Sequence, residues 1–87
     1  MNLDAMNAED LNAFYWRVQR NPVTVARELF PRRWKGYVRG TKDLAAYANN
    51  KATAIQCRLR GDIQAALIYE MICDQIYTRL SPYFRTW

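Results

Sequence analysis

At 87 residues, 51% of them apolar and 14% aromatic, the chain is long enough for one small core without disulfide staples and too apolar to be disordered. A net charge of +5 with no histidine excludes an intrachain zinc site of the Cys2His2 or Cys3His type and removes the commonest general base. No apolar run approaches the roughly 18 residues of a membrane span, and the acidic start MNLDAMNAED has no signal-peptide core.

These bounds give the expectation of a single cytoplasmic domain over residues 1–87, with no membrane partner. Cys57 and Cys73 are too few for a disulfide scaffold and are expected as reduced, buried thiols. A four-cysteine metal site would need two copies, so neither metal nor cofactor is expected. The charge is unevenly placed. Residues 17–60 carry eleven Lys or Arg against Glu28 and Asp43, which makes the middle of the chain a basic block attractive to polyanions or acidic proteins.

The first helix is expected from Asn7, whose side-chain oxygen suits an N-cap. Glu9 and Asp10 then lie in the first turn, where the helix dipole favours acids. Met6 and Leu11 are spaced as a hydrophobic staple, and Leu11, Phe14, Tyr15 and Val18 follow at helical intervals. Asn21-Pro22 ends this helix and starts the next, with Asn21 as cap and Pro22 at the first helical position. Val25, Ala26, Leu29 and Phe30 form its apolar face, and Pro31 stops it.

The stretch PRRWKGYVRG, residues 31–40, reads as a connection punctuated by Pro31, Gly36 and Gly40. Its Trp34, Tyr37 and Val38 should pack back on the core, and a short strand at 36–39 is an alternative. The third helix is expected to start at Thr41 as N-cap, with Asp43 in its first turn.

Two readings compete over KDLAAYANNKATAIQCRLRGD. Ala45, Asn49 and Ile55 have the spacing of a helix-turn-helix, while Asn50 and Arg58 stand where that motif places apolar residues. Leu44, Ala48, Ala52, Ile55 and Leu59 instead hold one helical phase through Asn49-Asn50. Two asparagines cost a helix roughly 1 kcal/mol relative to alanines, which burial of that stripe exceeds. The phase favours a straight helix. Its seam continues through Asp62, Ala66, Tyr69, Cys73, Ile76 and Leu80, as a hairpin turning at Gly61-Asp62 or as one long bent helix. Asp62 is the expected cap of a fourth helix running to about Leu80, stopped by Ser81-Pro82. The tail YFRTW is expected to pack.

Gly61-Asp62, Ala66 and Tyr69 in RLRGDIQAALIYE fall where a tetratricopeptide-type hairpin has Gly-Asp, Ala and Tyr. This segment resembles the turn and second helix of that unit. The resemblance is to a single copy, and it implies a helical hairpin and no repeat array.

The expected fold is therefore all-α, a small bundle of three to four helices. Its core is expected from Leu11, Phe14, Val18, Leu29, Phe30, Ile55, Leu59, Tyr69, Ile76 and Leu80. Two surfaces are candidates for function. Arg27, Arg32, Arg33, Lys35, Arg39 and Lys42 surround Trp34 and Tyr37, a pattern suited to phosphates and unpaired bases or to an acidic protein. Ile63, Leu67, Ile68 and Met71 lie off the main stripe of the fourth helix. They either place it centrally, between the third and first helices, or form a protein interface, including a homodimer. Glu70 and Asp74 share a helix face without a nucleophile or phosphate loop beside them, so no catalytic residues and no small-molecule substrate are expected. The leading expectation is a small, basic, non-enzymatic interaction protein, with nucleic-acid binding through residues 27–42 as the alternative.

Overall fold

The computed structural model describes residues 2–85. Within them the chain is all-α, with four helices: α1 (Ala8–Arg20), α2 (Pro22–Leu29), α3 (Trp34–Leu59) and α4 (Ile63–Arg79). Single 3-10 turns lie at Leu3–Ala5 and Pro82–Phe84, and the described residues contain no strand. The long axis measures 42 Å, close to the roughly 39 Å of a 26-residue helix. α3 sets that length, and α1, α2 and α4 all pack on it.

α1 begins as its sequence dictates. The Asn7 side-chain oxygen accepts from the Asp10 N–H at 2.8 Å, and Leu11, Phe14 and Val18 are buried. Met6 is half-buried against the same core. Pro22 opens α2, but Asn21 makes no side-chain cap there. Instead its backbone serves both neighbours: its N–H donates to Arg17 and its carbonyl accepts from Val25. The N-terminal turn adds a core residue with no periodic signal, Leu3, which is fully buried. Beside it Asp4 accepts from the Tyr47 hydroxyl at 2.9 Å and lies 3.8 Å from the Lys51 ammonium, which ties the start of the chain to mid-α3.

The third helix starts eight residues earlier than expected, with Arg33 and not Thr41 at its N-cap position. Residues 34–40 are neither connection nor strand but the first two turns of α3. Thr41 is not a cap. It is fully buried inside the helix, its hydroxyl satisfied by the Tyr37 carbonyl at 2.9 Å. Two helix-interior glycines cost about 1 kcal/mol each, and packing overrides that cost at Gly40, where the Phe84 ring of the tail lies against the bare backbone. Trp87 of the tail lies outside the described residues.

The helix then runs unbroken through Asn49-Asn50, so no helix-turn-helix forms. Asn50 donates to the Ala46 carbonyl and Thr53 to that of Asn49, so these polar side chains bond to the helix's own backbone. The turn comes at Gly61, the one described residue with positive φ (80°). The Gly61 N–H donates to Arg58 and the Asp62 N–H to Cys57, the paired bonds of a Schellman cap. Asp62 then caps α4 by accepting from Ala65. The result is a hairpin, not one bent helix.

α3 buries two sides. Gly40, Tyr47 and Arg58 meet the α4 arm: Gly40 meets Phe84, the Tyr47 carbonyl accepts from the Cys73 thiol, and Arg58 pairs with Glu70. Thr41, Ala45, Ala48 and Ala52, all buried, lie roughly 100–160° further around the helix, on the side left to α1 and α2. Small side chains there let the other helices approach closely. The expected central position of the fourth helix therefore belongs to α3, and α4 packs principally against α3. Leu59, expected in the core, is 82% exposed at the hairpin tip, while Leu29, Phe30, Ile55 and Tyr69 are only partly buried. Both cysteines are free and buried, and desolvation pushes the Cys73 thiol up to about 11.

The two helix-interior glycines should respond oppositely to alanine. A methyl at Gly36 meets open space, so Gly36→Ala should stabilise by about 0.5–1 kcal/mol. A methyl at Gly40 would overlap the Phe84 ring, so Gly40→Ala should destabilise by about 1–3 kcal/mol. Urea unfolding midpoints of the two variants check the sign of each.

Candidate functional site

The basic and aromatic residues expected to form one site are distributed around the start of α3. Lys35, Arg39 and Lys42, spaced by four and three, make an exposed ridge on the solvent face. Trp34 lies on one flank, partly buried, with the Arg27 guanidinium 4.2 Å from its ring centroid and the Lys35 ammonium at 5.7 Å. The ring face that the sequence offered for stacking is thus taken by the protein's own cations. Arg33 and Tyr37 lie on the other flank. Tyr37 is wedged among Phe30 and Phe84, both at 4.9 Å, and Tyr83 at 6.1 Å.

That second flank opens into a cleft of about 390 Å³ lined by Phe30, Pro31, Arg32, Arg33, Tyr37 and Tyr83. The Arg33 guanidinium lies 5.3 Å from the Tyr83 ring centroid and donates a long bond, 3.4 Å, to the Tyr37 hydroxyl. Hydrogen bonds with Tyr37 and then Tyr83 hold the Arg33 pKa above its ordinary value. Among the described residues none of Arg27, Arg32, Arg33, Lys35, Arg39 and Lys42 has a carboxylate partner. The sequence pattern missed Phe30, Pro31 and Tyr83 as cleft walls: Phe30 and Pro31 read as the core face and stop of α2, and Tyr83, a tail aromatic without periodicity, carries no address.

The second candidate surface is the outward side of α4. Leu67, Ile68 and Met71 are each more than half exposed, and Ile63, nearly half exposed, extends the patch toward the hairpin tip. Gln64, Asp74 and Gln75 flank it, all exposed. The four residues named from the sequence thus share the outward side of α4, which stays exposed among the described residues. Elsewhere on α4, Glu70 is committed to Arg58, which donates to both of its carboxylate oxygens at 2.6 and 2.8 Å. Asp74 opens onto a smaller cleft with Asp4, Tyr47 and Tyr77. No group of acids, cysteines or histidines among the described residues is arranged to hold a metal, and no described helix is long and apolar enough to cross a membrane.

Compared with protein-family models, with curated proteins and with solved structures, the chain matches none.

The Arg58–Glu70 pair joins the two arms of the hairpin and carries a pH signature. The hydrogen bond from Arg58 holds the Glu70 carboxyl below its ordinary 4.5. Its contribution is therefore full above about that value and is lost as pH falls through the lowered folded-state pKa. Thermal melts of wild type and Glu70→Gln should differ near neutral pH and converge in the acid range below 4.5. A constant difference across that range would remove the pair from the stability of the hairpin.

Proposed function

We propose that this chain is a small, basic, non-enzymatic protein that acts by binding a protein partner through the outward face of α4, with a second copy of itself as the simplest occupant. One observation carries the reading: four large apolar side chains on one helix, Ile63, Leu67, Ile68 and Met71, stay exposed although the same chain buries Leu3, Leu11 and Leu44 completely. A solvated helix face has no use for four such residues in nine positions.

Self-pairing suits the charges around the patch. In an antiparallel pair of α4 helices, Asp74 of one copy approaches the end carrying Arg60 of the other, while the basic starts of the two α3 helices point apart. Four anchoring residues form a small patch beside the roughly 20–30 residues per side of a standard interface, so self-association in the micromolar range or weaker is expected.

The test is Leu67→Asp combined with Met71→Asp. Both positions are exposed, so helicity and unfolding midpoint should be retained, within about 0.5 kcal/mol. Wild type should show a concentration-dependent monomer–dimer equilibrium by sedimentation, and the double variant should remain monomeric. Identical sedimentation of the two proteins, together with identical protein capture from a native lysate, would count against this face as the binding surface.

A further inference from the structure

The cleft at the opposite end of the molecule supports a second binding activity, independent of the α4 face. We infer that it holds one unstacked base of a single-stranded nucleic acid, with the adjoining phosphates on Arg32 and Arg33. Its volume of about 390 Å³ suits a single planar ring system, toward the small end of ligand pockets. Its walls are Phe30, Pro31, Tyr37 and Tyr83, and Tyr83 has the most exposed ring at 61%, with the Arg33 guanidinium 5.3 Å from its centroid, so a base stacks on the ring beside that cation or in its place. Arg32 and Arg33 line it, and among the described residues no carboxylate does.

The surroundings extend the same chemistry. Gly36 leaves bare, open backbone between the cleft flank and the solvent face of α3. Beyond it stand Lys35, Arg39 and Lys42, exposed and without carboxylate partners among the described residues. A strand seated by one base in the cleft passes over Gly36 and meets a cation near each following phosphate. An aromatic-walled cleft beside a row of cations fits a polymer that pairs a planar ring with a charge in every unit. An acidic peptide supplies the charges without the rings, and a duplex hides its ring faces in the stack.

The test uses the full chain and a labelled oligothymidylate of about 12 nucleotides, read by fluorescence anisotropy. A duplex of equal length, polyglutamate and thymidine monophosphate serve as competitors. The single strand should outcompete all three, with affinity falling steeply between about 50 and 200 mM salt. Tyr83→Ala should weaken strand binding about fivefold or more, and Tyr83→Phe, which keeps the ring, should not. Arg32→Ala with Arg33→Ala should lower the salt slope by about 1.4, two phosphates' worth for a single strand. Circular dichroism confirms that each variant is folded. Equal competition by polyglutamate would overturn the inference in favour of an acidic protein, and by the duplex in favour of unspecific charge. Competition by the mononucleotide at the strand's own concentration would replace a strand with a free nucleotide. A folded Tyr83→Ala protein with unchanged affinity would remove the base from the cleft.

Discussion

α3 must bury two sides at once, and the rest of the molecule follows from how it does so. Toward α1 and α2 it presents Thr41, Ala45, Ala48 and Ala52, side chains short enough for helices to approach closely. Toward α4 and the tail it presents Gly40 and Tyr47, closed at the outer end by Arg58 on Glu70. A helix packed on two sides tolerates what an isolated helix would not: two interior glycines and a pair of asparagines. It also makes α3 the principal neighbour of α4, and among the described residues the far side of α4 stays exposed.

The elements that the sequence shows clearly are those whose signals are local. Asn7 caps α1, Pro22 opens α2, and Gly61-Asp62 turns the hairpin, because each uses backbone groups within a few residues. The phase running from Leu44 to Ala52 reveals the continuity of α3 past Asn49-Asn50 for a similar reason. The start of α3 is hidden because its stabilisation is not local. Gly36, Gly40 and Thr41 spell a turn followed by a cap, and only the arrival of Phe84 from forty-four positions away makes Gly40 a packing residue. Leu59 errs the other way. It continues the apolar period, but the period outlasts the neighbours that bury it, and the side chain emerges at the tip.

The same distinction applies to the candidate sites. Ile63, Leu67, Ile68 and Met71 lie on one helix, so their spacing alone places them on one face. The residues of the basic segment occupy three sides of a helix that the sequence reads as a loop. Their grouping comes apart into a ridge, a Trp34 flank covered by Arg27, and a cleft completed by Tyr83 from the tail. The two surfaces stand toward opposite ends of a helix about 39 Å long. Apolar contact at one end and electrostatic contact at the other can therefore operate without competing for space.

The account rests on the outward face of α4 being uncovered in the isolated chain. Methyl NMR of dilute protein with a soluble paramagnetic agent measures this residue by residue. The methyl signals of Ile63, Leu67, Ile68 and Met71 should broaden strongly while those of Leu3, Leu11 and Leu44 remain sharp. Protection of the α4 methyls at a dilution where the protein is monomeric would mean that the chain covers this face itself, and would contradict its assignment as a binding surface.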